Sequence, residues 1–508
     1  MPLTRKKVIR YSLLLLSIIA IIFLIRPILH LTKHMYFTDA GFSSSEKGFT
    51  NDVSRLNHSP IDSLVLVSST ADSAIQQLIS LLSYARTNHL QVSIAGAKHS
   101  MGGHTIAPNG IQVDMLPFRA LTLDTTTNIL TVGSGALWSE VIPYLNHYNR
   151  AVSIMQSDNA FSVGGSISVN CHGWQHNKPP IASTVQSFRL LKVNGRLVTC
   201  SRTENEELFS LVLGGYGLFG IIIDVQLQTV PNELYTYQRI TVPATDYLDS
   251  YQKYINQNPK ARMVYGRLNV NKKDFLQKAM LNYFEYKAPA TKDYPLTDPS
   301  FTKLKQSIFE GSRNDDYGKE LRWQSEKLFT KTLTGNTYSR NQIMNESPAL
   351  YLNQSATRTD ILHEYFIPRK NFGQFIKQLQ QIIPQHQADL LNVTIRNVYK
   401  DEDTYLRYAR EEVFAFVMFF NQPLTSEAEQ DMTHLTQELI DAAHKLNGTY
   451  YLPYRLHATQ NQLKATYPMI DTFFQKKLKY DPQEIFQNKF YQQYKNTKST
   501  VDSTTTLR

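Results

Sequence analysis

The sequence predicts an α+β protein with a strand-rich first unit, a second α+β unit and a helical C-terminal segment. The chain has 508 residues, which at about 150 residues per domain suggests two or three domains. Hydrophobic residues make up 42% and charged residues 19%, a composition typical of packed globular proteins. From Asp62 onward, short strands alternate with amphipathic helices, which favours a mixed fold over an all-helical or all-β one.

The N-terminus carries the one strongly apolar segment. Tyr11 to Ile25 is uncharged and follows four basic residues that begin at Arg5. The run is shorter than the ~20 residues that cross a bilayer, but flanking apolar residues extend it if the adjacent arginines reach the headgroups. A cleaved signal peptide has the same layout, yet no small-residue cleavage site follows Ile25. We therefore favour an uncleaved transmembrane anchor over residues 1–37.

The basic residues around this segment predict its orientation. Four precede the run, whereas Arg26 and Lys33 follow it, which places the N-terminus in the cytoplasm and the large domain on the outer, periplasmic or lumenal, face. Residues 38–59 are rich in Ser, Gly and Asn and are interpreted as a tether.

Charge and cysteine content exclude several classes of protein. The formal charge of +10 is scattered and forms no basic stripe interleaved with aromatic residues, so we predict no nucleic-acid partner and some attraction to an acidic membrane surface. Cys171 and Cys200 are too few for a disulfide framework or a cysteine metal cage, although one disulfide stays open. No His, Asp and Glu residues stand at ligand spacing, and no metal site is predicted.

The first unit shows a regular order of strands and helices. It begins with a βαβ pattern, continues through strands and one further helix, and ends with a hairpin and a long strand. The predicted elements are a strand in LVLVSS, a helix at Asp72–His89, a strand in VSIAG, a helix at Leu137–Tyr148, a hairpin turning at Asn194-Gly195, and a strand that ends at Pro231.

Three glycine-rich segments, 96–104, 157–173 and 214–220, adjoin strands of this unit. Glycine lets backbone N–H groups approach an anion closely, and successive amides can surround a pyrophosphate. There is no P-loop, and no G-x-G-x-x-G stands between the first strand and helix with an acidic residue ~20 positions later, which disfavours a P-loop NTPase and a Rossmann dehydrogenase. The three segments together predict a dinucleotide that lies along a crevice.

The order of motifs resembles a known family. G-x-x-H-S-x-x-G, VDM, LTVGSGALWSEVIPYL, SVGGSISVNCHG, NGRLVTCS and LFSLVLGGYGLFGIIIDVQLQTVPN follow one another as in the FAD-binding domain of the vanillyl-alcohol oxidase type (PCMH type). That group contains sugar-lactone and alditol oxidases, cytokinin dehydrogenases, and sterol and decaprenyl-ribose oxidoreductases. The resemblance implies a two-subdomain FAD-binding domain at 60–231, an α+β cap domain at 232–449 with a loop-rich insert around 287–340, and a C-terminal segment at 450–508 that returns to the FAD site.

The resemblance also implies roles for individual residues. His99 stands where many relatives bind the flavin covalently, but Lys98 replaces the second glycine of the usual G-x-G-H-S, which leaves the covalent bond open. Cys171 lies after the V-G-x-G-G run rather than before it, so no second covalent bond is expected. The FAD-binding residues implied are Gly96, Ala97, Lys98, His99, Ser100, Ser157, Ser162, Gly164, Gly165, Ser168, Gly220 and Ile222.

On the substrate side, V-T-I-R-N-V resembles the E-x-R-x-V strand of the alditol and lactone oxidases. Arg396 would then orient an oxygen-rich substrate or stabilise negative charge, and Thr394 stands in the acidic position. Tyr454, Arg455 and His457 occupy the stretch where relatives place a lysine or histidine near the flavin. The alternative is that Arg396 and Arg455 are ordinary solvated charges.

These features predict a membrane-anchored FAD-dependent oxidoreductase that takes hydride from a hydroxyl-bearing carbon of a sugar, lactone or related alcohol. By the resemblance Leu116 occupies the oxygen gate, which favours a quinone or protein electron acceptor over fast oxidation by oxygen. Two alternatives stay open: an oxidoreductase of a lipid-linked sugar or an isoprenoid or sterol double bond, and a flavin- or ligand-binding protein without turnover.

Overall fold

A computed structural model describes residues 25–33, 46–296, 302–347, 351, 353 and 355–495. The apolar run of the predicted anchor lies outside these residues except for Ile25, which is the first described residue of a helix, α1, described over 25–33. Within the described ranges, we find no helix whose length and apolar character would suffice to span a bilayer.

The first domain opens with a small parallel sheet of order β3-β5-β4, backed by helix α2. These elements are β3 (Ser63–Leu66), α2 (Ala71–Thr87), β4 (Val92–Ala95) and β5 (Ile111–Asp114). The predicted βαβ pattern is confirmed, because β3 and β4 both pair with β5 in parallel register. Helix α2 places Leu78 and Leu82, both fully buried, one turn apart against the sheet.

The second sheet of this domain is antiparallel, with order β10-β9-β11-β7-β6 and β8 paired to β11. The Asn194-Gly195 turn joins β9 to β10 as predicted, and Gly195 has a φ of 79°, which suits glycine. The elements are β6 (Leu121–Asp124), β7 (Ile129–Gly133), α3 (Trp138–His147), β8 (Arg150–Val152), α4 (Val163–Ser168), β9 (Val185–Leu191), β10 (Leu197–Ser201), α5 (Glu206–Val212) and β11 (Ile221–Pro231).

The cap domain is built on one antiparallel sheet of eight strands, in the order β15-β12-β14-β13-β17-β18-β16-β19. Its strands are β12 (Glu233–Pro243), β13 (Ala261–Leu268), β14 (Lys278–Pro289), β15 (Thr337–Ser339), β16 (Arg358–Pro368), β17 (Asp389–Val398), β18 (Val413–Pro423) and β19 (Thr449–Tyr450). Three of its helices pack on one face: α6 (Tyr247–Tyr251), α11 (Phe372–Ile382) and α12 (Ser426–Lys445). The other face is turned toward the first domain.

Much of the predicted loop-rich insert is helical. It contains α7 (Thr302–Glu310), α8 (Asp316–Leu328), α9 (Thr330–Leu333) and α10 (Arg340–Met344). These helices are polar and bury only a thin apolar stripe, such as Phe309 and Trp323, so their periodic signal in the sequence is weak. Helix α1 contacts the insert, since the Nε2 of His30 lies 2.9 Å from the carbonyl oxygen of Gly311 and Arg26 stacks 3.8 Å over the ring of Tyr317.

The C-terminal segment returns to the first domain. It contains α13 (Gln460–Thr466), α14 (Ile470–Tyr480) and α15 (Lys489–Tyr494). Between the last two helices the chain pairs with the edge of the small parallel sheet, where the amide of Val92 donates to Ile485 (2.7 Å) and the amide of Gln487 donates to Val92 (3.0 Å). This pairing joins the C-terminal segment to the first domain.

Residues 46–60, most of the predicted tether, form an ordered strap instead. Strands β1 (Phe49–Thr50) and β2 (Ser59–Pro60) pair with each other. The carboxylate of Asp52 accepts hydrogen bonds from Ser54, Asn57 and the amide of Gly103, and Thr359 of the cap donates 2.6 Å to Ser54. The Ser, Gly and Asn content predicted a tether. In the structure the side chains of Ser54 and Asn57 bond Asp52 within the strap, and the hydroxyl of Thr359 bonds the strap to the cap.

Candidate active site

One pocket of about 540 Å³ lies between the first domain and the cap sheet. The glycine-rich segments of the first domain form its floor, and strands β13, β16, β17 and β18 contribute residues to its roof. All twelve residues that the sequence analysis assigns to a cofactor line this pocket, as do Arg396 and Tyr454. The fold thus brings together segments that lie up to 358 positions apart, from Gly96 to Tyr454.

The first two glycine segments approach each other so closely that side chains would not fit. A Cβ atom on Gly96 would overlap the Oγ of Ser162, and one on Gly164 would come 2.7 Å from the Cβ of Ser134. The hydroxyls of Ser100 and Ser134 are buried and have no hydrogen-bond partner among the described residues. A narrow cradle of backbone with unpaired donors fits an anionic dinucleotide such as FAD.

The backbone conformation at Lys98 is one that favours glycine. Its φ is 56°, in the left-handed region that costs a residue with a side chain roughly 1–2 kcal/mol. Its ammonium group donates 2.6 Å to Gln112 and 3.3 Å to Thr50 of the strap, and its carbonyl accepts from Val53 at 3.1 Å. The charge is therefore tied to the small sheet and the strap, so Lys98 can offer a ligand its backbone while its ammonium group stays bonded elsewhere.

His99 lies in the pocket with its ring stacked on Phe161, at 4.1 Å between centroids and 13° between planes. Burial lowers the pKa of His99 to about 4, against a small opposing effect of a backbone hydrogen bond at Ala160. The imidazole is therefore neutral at neutral pH, and a neutral imidazole keeps the lone pair that bonding to an electrophilic carbon needs.

Arg396 links the cap to the second glycine segment. It lies on β17, and its guanidinium donates 2.9 Å to the Oγ of Ser157 and 3.4 Å to the carbonyl of His172. Both partners are uncharged groups, and the Nε atom of Arg396 is buried without a partner among the described residues. The cation consequently faces the pocket without a carboxylate bonded to it in the described structure, and it can stabilise negative charge there.

Glu364 is a site residue that the sequence analysis did not identify. It lies on β16, is 97% buried, and its Oε1 is 2.5 Å from the Nε2 of His172, which is also buried. The hydroxyl of Tyr454 donates to its other oxygen at 3.3 Å. A carboxylate and an imidazole paired inside a pocket form a proton acceptor of the kind used in general base catalysis.

Strand register places Glu364 in one row with Thr394, which stands in the acidic position of the predicted substrate strand. Glu364 pairs with Val417, and Val417 pairs with Thr394, so the three side chains share one row on the same face of the sheet. By the resemblance, Thr394 stands where the lactone and alditol oxidases are expected to have a carboxylate. The pocket thus regains a carboxylate from a strand two places away, which only the sheet order reveals.

Arg455 and His457 do not line the main pocket. Both bind Glu429 of α12 in a second cleft, together with Lys489; the Nε2 of His457 lies 2.8 Å from Glu429. Burial raises the pKa of Glu429, but bonds from His457 and Arg455 outweigh it and lower that pKa to about 2.

The residue expected at the oxygen gate lies outside the pocket, and the remaining candidates lie as follows. Met115 lines the main pocket and Leu116, the expected oxygen gate, does not. Burial raises the pKa of Asp158, also in the pocket, to about 7. Cys171 and Cys200 are both buried and free, and the described residues contain no group of three or more potential metal ligands.

Comparison with known proteins agrees with this geometry. The model of an FAD-binding domain matches residues 72–201. L-Gulonolactone oxidase of Bos taurus is 28% identical over 186 residues, which cover 35% of this chain and 42% of the bovine enzyme. An FAD-dependent monooxygenase of Aspergillus niger is 30% identical over 37% of this chain and 33% of that protein. The matched segments therefore span less than half of these relatives.

A second kind of relative matches over most of the chain. Cytokinin dehydrogenase 9 of Oryza sativa subsp. japonica is 22% identical over 425 residues, which cover 78% of this chain and 79% of the rice enzyme. Cytokinin dehydrogenase 1 of Arabidopsis thaliana is 23% identical over 78% of this chain. These similarities extend beyond the FAD-binding domain into the cap.

Proposed function

Because the chain contains an FAD-binding domain of the PCMH type, we propose that it is an FAD-dependent oxidoreductase that removes hydride from a hydroxyl-bearing carbon. The observation that carries this proposal is the meeting of three groups in one pocket with the glycine segments: Arg396 and Glu364, which lie outside the matched region, and His172, which lies within it and pairs with Glu364. A cofactor cradle alone would need none of these groups.

Residues of the three glycine-rich segments, 96–104, 157–173 and 214–220, would hold FAD together with Ile222. His99 would be the residue that bonds to it covalently. When bound, the flavin supplies the acceptor for two electrons and a proton that leave the substrate carbon as hydride. The apolar surroundings of the pocket, such as Phe161 and Val417, exclude water from the reacting atoms.

Residues of the chain would accept the proton of the substrate hydroxyl and stabilise the negative charge on its oxygen. The Glu364–His172 pair would accept the proton of the substrate hydroxyl, at Oε1 of Glu364 or Nε2 of His172. Arg396 would stabilise the negative charge that develops on the oxygen as that proton leaves. Tyr454 holds the second oxygen of Glu364 and thereby fixes the direction of the carboxylate.

A decisive experiment uses the purified full-length chain under anaerobic conditions. Sugars, lactones, alditols and other alcohols are added in turn, and loss of the oxidised flavin absorbance is followed. We expect bleaching by at least one hydroxylated compound and none by its deoxy analogue. Flavin that is bound but bleached by no compound of any class would instead favour a binding protein without turnover.

Acid precipitation separates the question of covalent attachment. A yellow pellet from the wild type and a colourless pellet from His99→Ala would establish the bond. Yellow supernatants from both proteins would establish FAD as a non-covalent cofactor and would leave the reaction proposal to the bleaching test.

The two cytokinin dehydrogenase matches favour a second candidate substrate. They span both the FAD-binding domain and the cap, whereas the gulonolactone oxidase match covers only 35% of this chain. Cytokinins therefore belong in the same bleaching panel. Reduction by a cytokinin at a rate above that of every alcohol would replace the hydroxyl-bearing substrate.

We further propose a membrane location and a quinone or protein electron acceptor. The apolar run before Ile25 supports the location, and helix α1 contacts insert helices whose Phe309 and Arg322 line the pocket. Carbonate extraction of cell membranes tests the location, since a peripheral protein is released and an anchored one is retained. Reoxidation by a soluble quinone that is much faster than by air would support the acceptor.

A further inference from the structure

The main pocket continues past the proposed reaction site toward the insert. Leu362 pairs with Phe419, and Phe419 pairs with Asn392, so these residues form the next row on the pocket face of the cap sheet. This row lies two positions beyond that of Glu364, on the side away from Arg396, and all three of its residues line the pocket. Along β17, the step from Arg396 to Asn392 is roughly 13 Å at ~3.3 Å per residue. The pocket therefore has a second end, away from the reacting groups.

Helices of the insert cover this second end. On α7, the ring of Phe309 lies 5.9 Å from that of Phe419. On α8, Arg322 stacks 4.6 Å over the ring of Phe309 and donates 3.1 Å to the carbonyl of Leu391, the neighbour of Asn392 on β17. Phe309 and Arg322 both line the pocket. Separate contacts to β17 and β18 thus place the insert over the same row.

The strap and the first glycine segment border this end on another side. The amide of Leu362 donates 3.1 Å to the Sδ of Met101, and the strap is bonded to β16 through Thr359 and the carbonyl of Ser54. Apolar side chains from five parts of the chain therefore line this end of the pocket, and we call them the apolar arm: Val53, Met101, Phe309, Leu362 and Phe419.

Two charged side chains at this end already have protein partners. Asp360 accepts hydrogen bonds from Arg313, and Arg322 pairs with Glu326 at 3.4 Å. Neither group requires a charge on a ligand. The Oδ1 of Asn392 is buried without a partner among the described residues, so the row has one polar border, at its β17 end.

We infer that the apolar arm binds a hydrocarbon group of the substrate, which is then an amphiphilic alcohol rather than a free sugar. The hydroxyl-bearing carbon would lie near Arg396 and Glu364, and the hydrocarbon group would extend between Phe309 and the row of Phe419 and Leu362. Removal of this group from water favours its binding there. This inference rests on the proposed oxidation of a hydroxyl-bearing carbon.

The position of α1 agrees with an alcohol that is dissolved in a bilayer. Ile25, Ile28 and Leu29 of this helix are 50%, 56% and 63% exposed, and the helix follows the apolar N-terminal run. The same helix contacts the insert through His30 and Arg26. The insert therefore contacts both the apolar arm and the helix nearest to the proposed membrane anchor.

The test varies the length of the hydrocarbon group on the flavin-loaded full chain in lipid nanodiscs, where no detergent competes. Alkan-1-ols and alkyl glucosides from methyl to octyl are titrated, with perturbation of the flavin spectrum reporting binding and anaerobic bleaching reporting reaction. We expect the Kd to fall ~2–4-fold with each added methylene until the arm is filled. Octyl compounds that bind no more tightly than methyl compounds in both series would overturn the inference.

Variants separate the arm from partition of the alcohols into lipid, which is the same for every variant. Leu362→Asn and Phe419→Ser should each lower the ratio of the methyl Kd to the octyl Kd ~10-fold or more. Leu248→Asn is the matched control and should keep this ratio, since Leu248 is a half-buried leucine of α6 that does not line the pocket. If Phe419→Ser does not bind flavin, Leu362→Trp replaces it and should shorten the longest chain that binds. Ratios that stay unchanged in the arm variants, or fall equally in the control, would contradict the arm.

Failure of the proposed function gives a different pattern. If no alcohol bleaches the flavin but longer chains perturb its spectrum more tightly and Leu362→Asn abolishes that dependence, the apolar arm stands and the oxidation of alcohols does not. If free sugars bleach the flavin and chain length has no effect, the oxidation stands and the arm is refuted.

Discussion

The main pocket and the second cleft each contain an arginine, a histidine and a glutamate, but they use them differently. The two sites lie on opposite sides of one wall, because Met101 lines the pocket while its carbonyl accepts from Arg455 of the cleft at 3.1 Å. In the cleft, Arg455 and His457 converge on one carboxylate, Glu429. In the pocket, Arg396 bonds the hydroxyl of Ser157, whereas Glu364 pairs separately with His172. Several polar atoms there, such as the Nε of Arg396, have no partner among the described residues.

This contrast teaches how to separate structural from functional ionic groups. A cation that is neutralised by its own carboxylate contributes to packing, since little of its field remains for a ligand. A buried cation that is held by a hydroxyl and a carbonyl keeps its charge available at the cost of desolvation. On this criterion we assign the chemistry to Arg396 and a structural role to Arg455.

The largest expected effect comes from replacing the arginine of the pocket, compared with replacing that of the cleft. Arg396→Met should lower kcat/KM ~10²–10³-fold, because charge stabilisation in the transition state is lost. Arg455→Met should change kcat/KM less than ~3-fold. Stopped-flow reduction of the flavin by the best substrate measures both, with flavin content checked first. Equal losses in the two variants would refute the division between pocket and cleft.

The two glutamates give the second test. Glu364→Gln keeps the shape of the side chain but removes the basic carboxylate, and we expect kcat to fall ~10²–10⁴-fold. In Glu364→Gln, both the magnitude of kcat and its dependence on pH should change. Glu429→Gln serves as the control and should retain both. A pH profile for Glu364→Gln that matches the wild type would show that Glu364 is not the proton acceptor.

The Glu429 variant, which should keep its activity, should lose stability. Glu429 has a folded pKa of about 2 against an ordinary 4.5, so its contribution is fully present above pH ~4.5 and is lost as the pH falls toward 2. We expect Glu429→Gln to lower the free energy of unfolding by about 1–3 kcal/mol at pH 7. Urea unfolding at pH 7 and pH 3 measures this, and the gap between variant and wild type should narrow at pH 3. A gap that widens would contradict the ion-pair explanation.

The smallest effect concerns Lys98 at the edge of the pocket. Lys98→Gly relieves a left-handed backbone conformation but removes the hydrogen bonds to Gln112 and Thr50. Because these terms oppose each other, we expect the free energy of unfolding to change by less than about 1 kcal/mol. Thermal unfolding and flavin affinity check this. A large loss of flavin affinity would show that the ammonium group itself binds the cofactor.

Much of the fold could be predicted from the sequence because its elements carry strong local signals. Alternating or continuous apolar runs define β11, β16, β17 and β18, and the Asn-Gly turn defines the hairpin of β9 and β10. The insert helices were missed because they are polar around most of their circumference. The strap was misread because composition cannot distinguish a flexible segment from one whose Asn and Ser side chains form bonds.

The candidate site was only half accessible to the same reasoning. Motifs located every glycine segment and Arg396, since their spacing is local. Glu364 has no motif of its own in this sequence, and its role depends on two strand pairings that join β16 to β17 through β18. The prediction for Leu116 depended on the register of one strand, and in the structure its neighbour Met115 lines the pocket instead.

The sequence by itself determined the FAD-binding domain, the apolar N-terminal run and the strands of the cap, because glycine spacing and hydrophobic periodicity act over a few residues. The tertiary structure alone decided which charges meet. Whether a side chain such as Arg455 faces a ligand or a partner depends on contacts with residues far away in the chain, here Glu429 and Met101. Such long-range contacts are set by sheet order and packing, which local patterns do not encode.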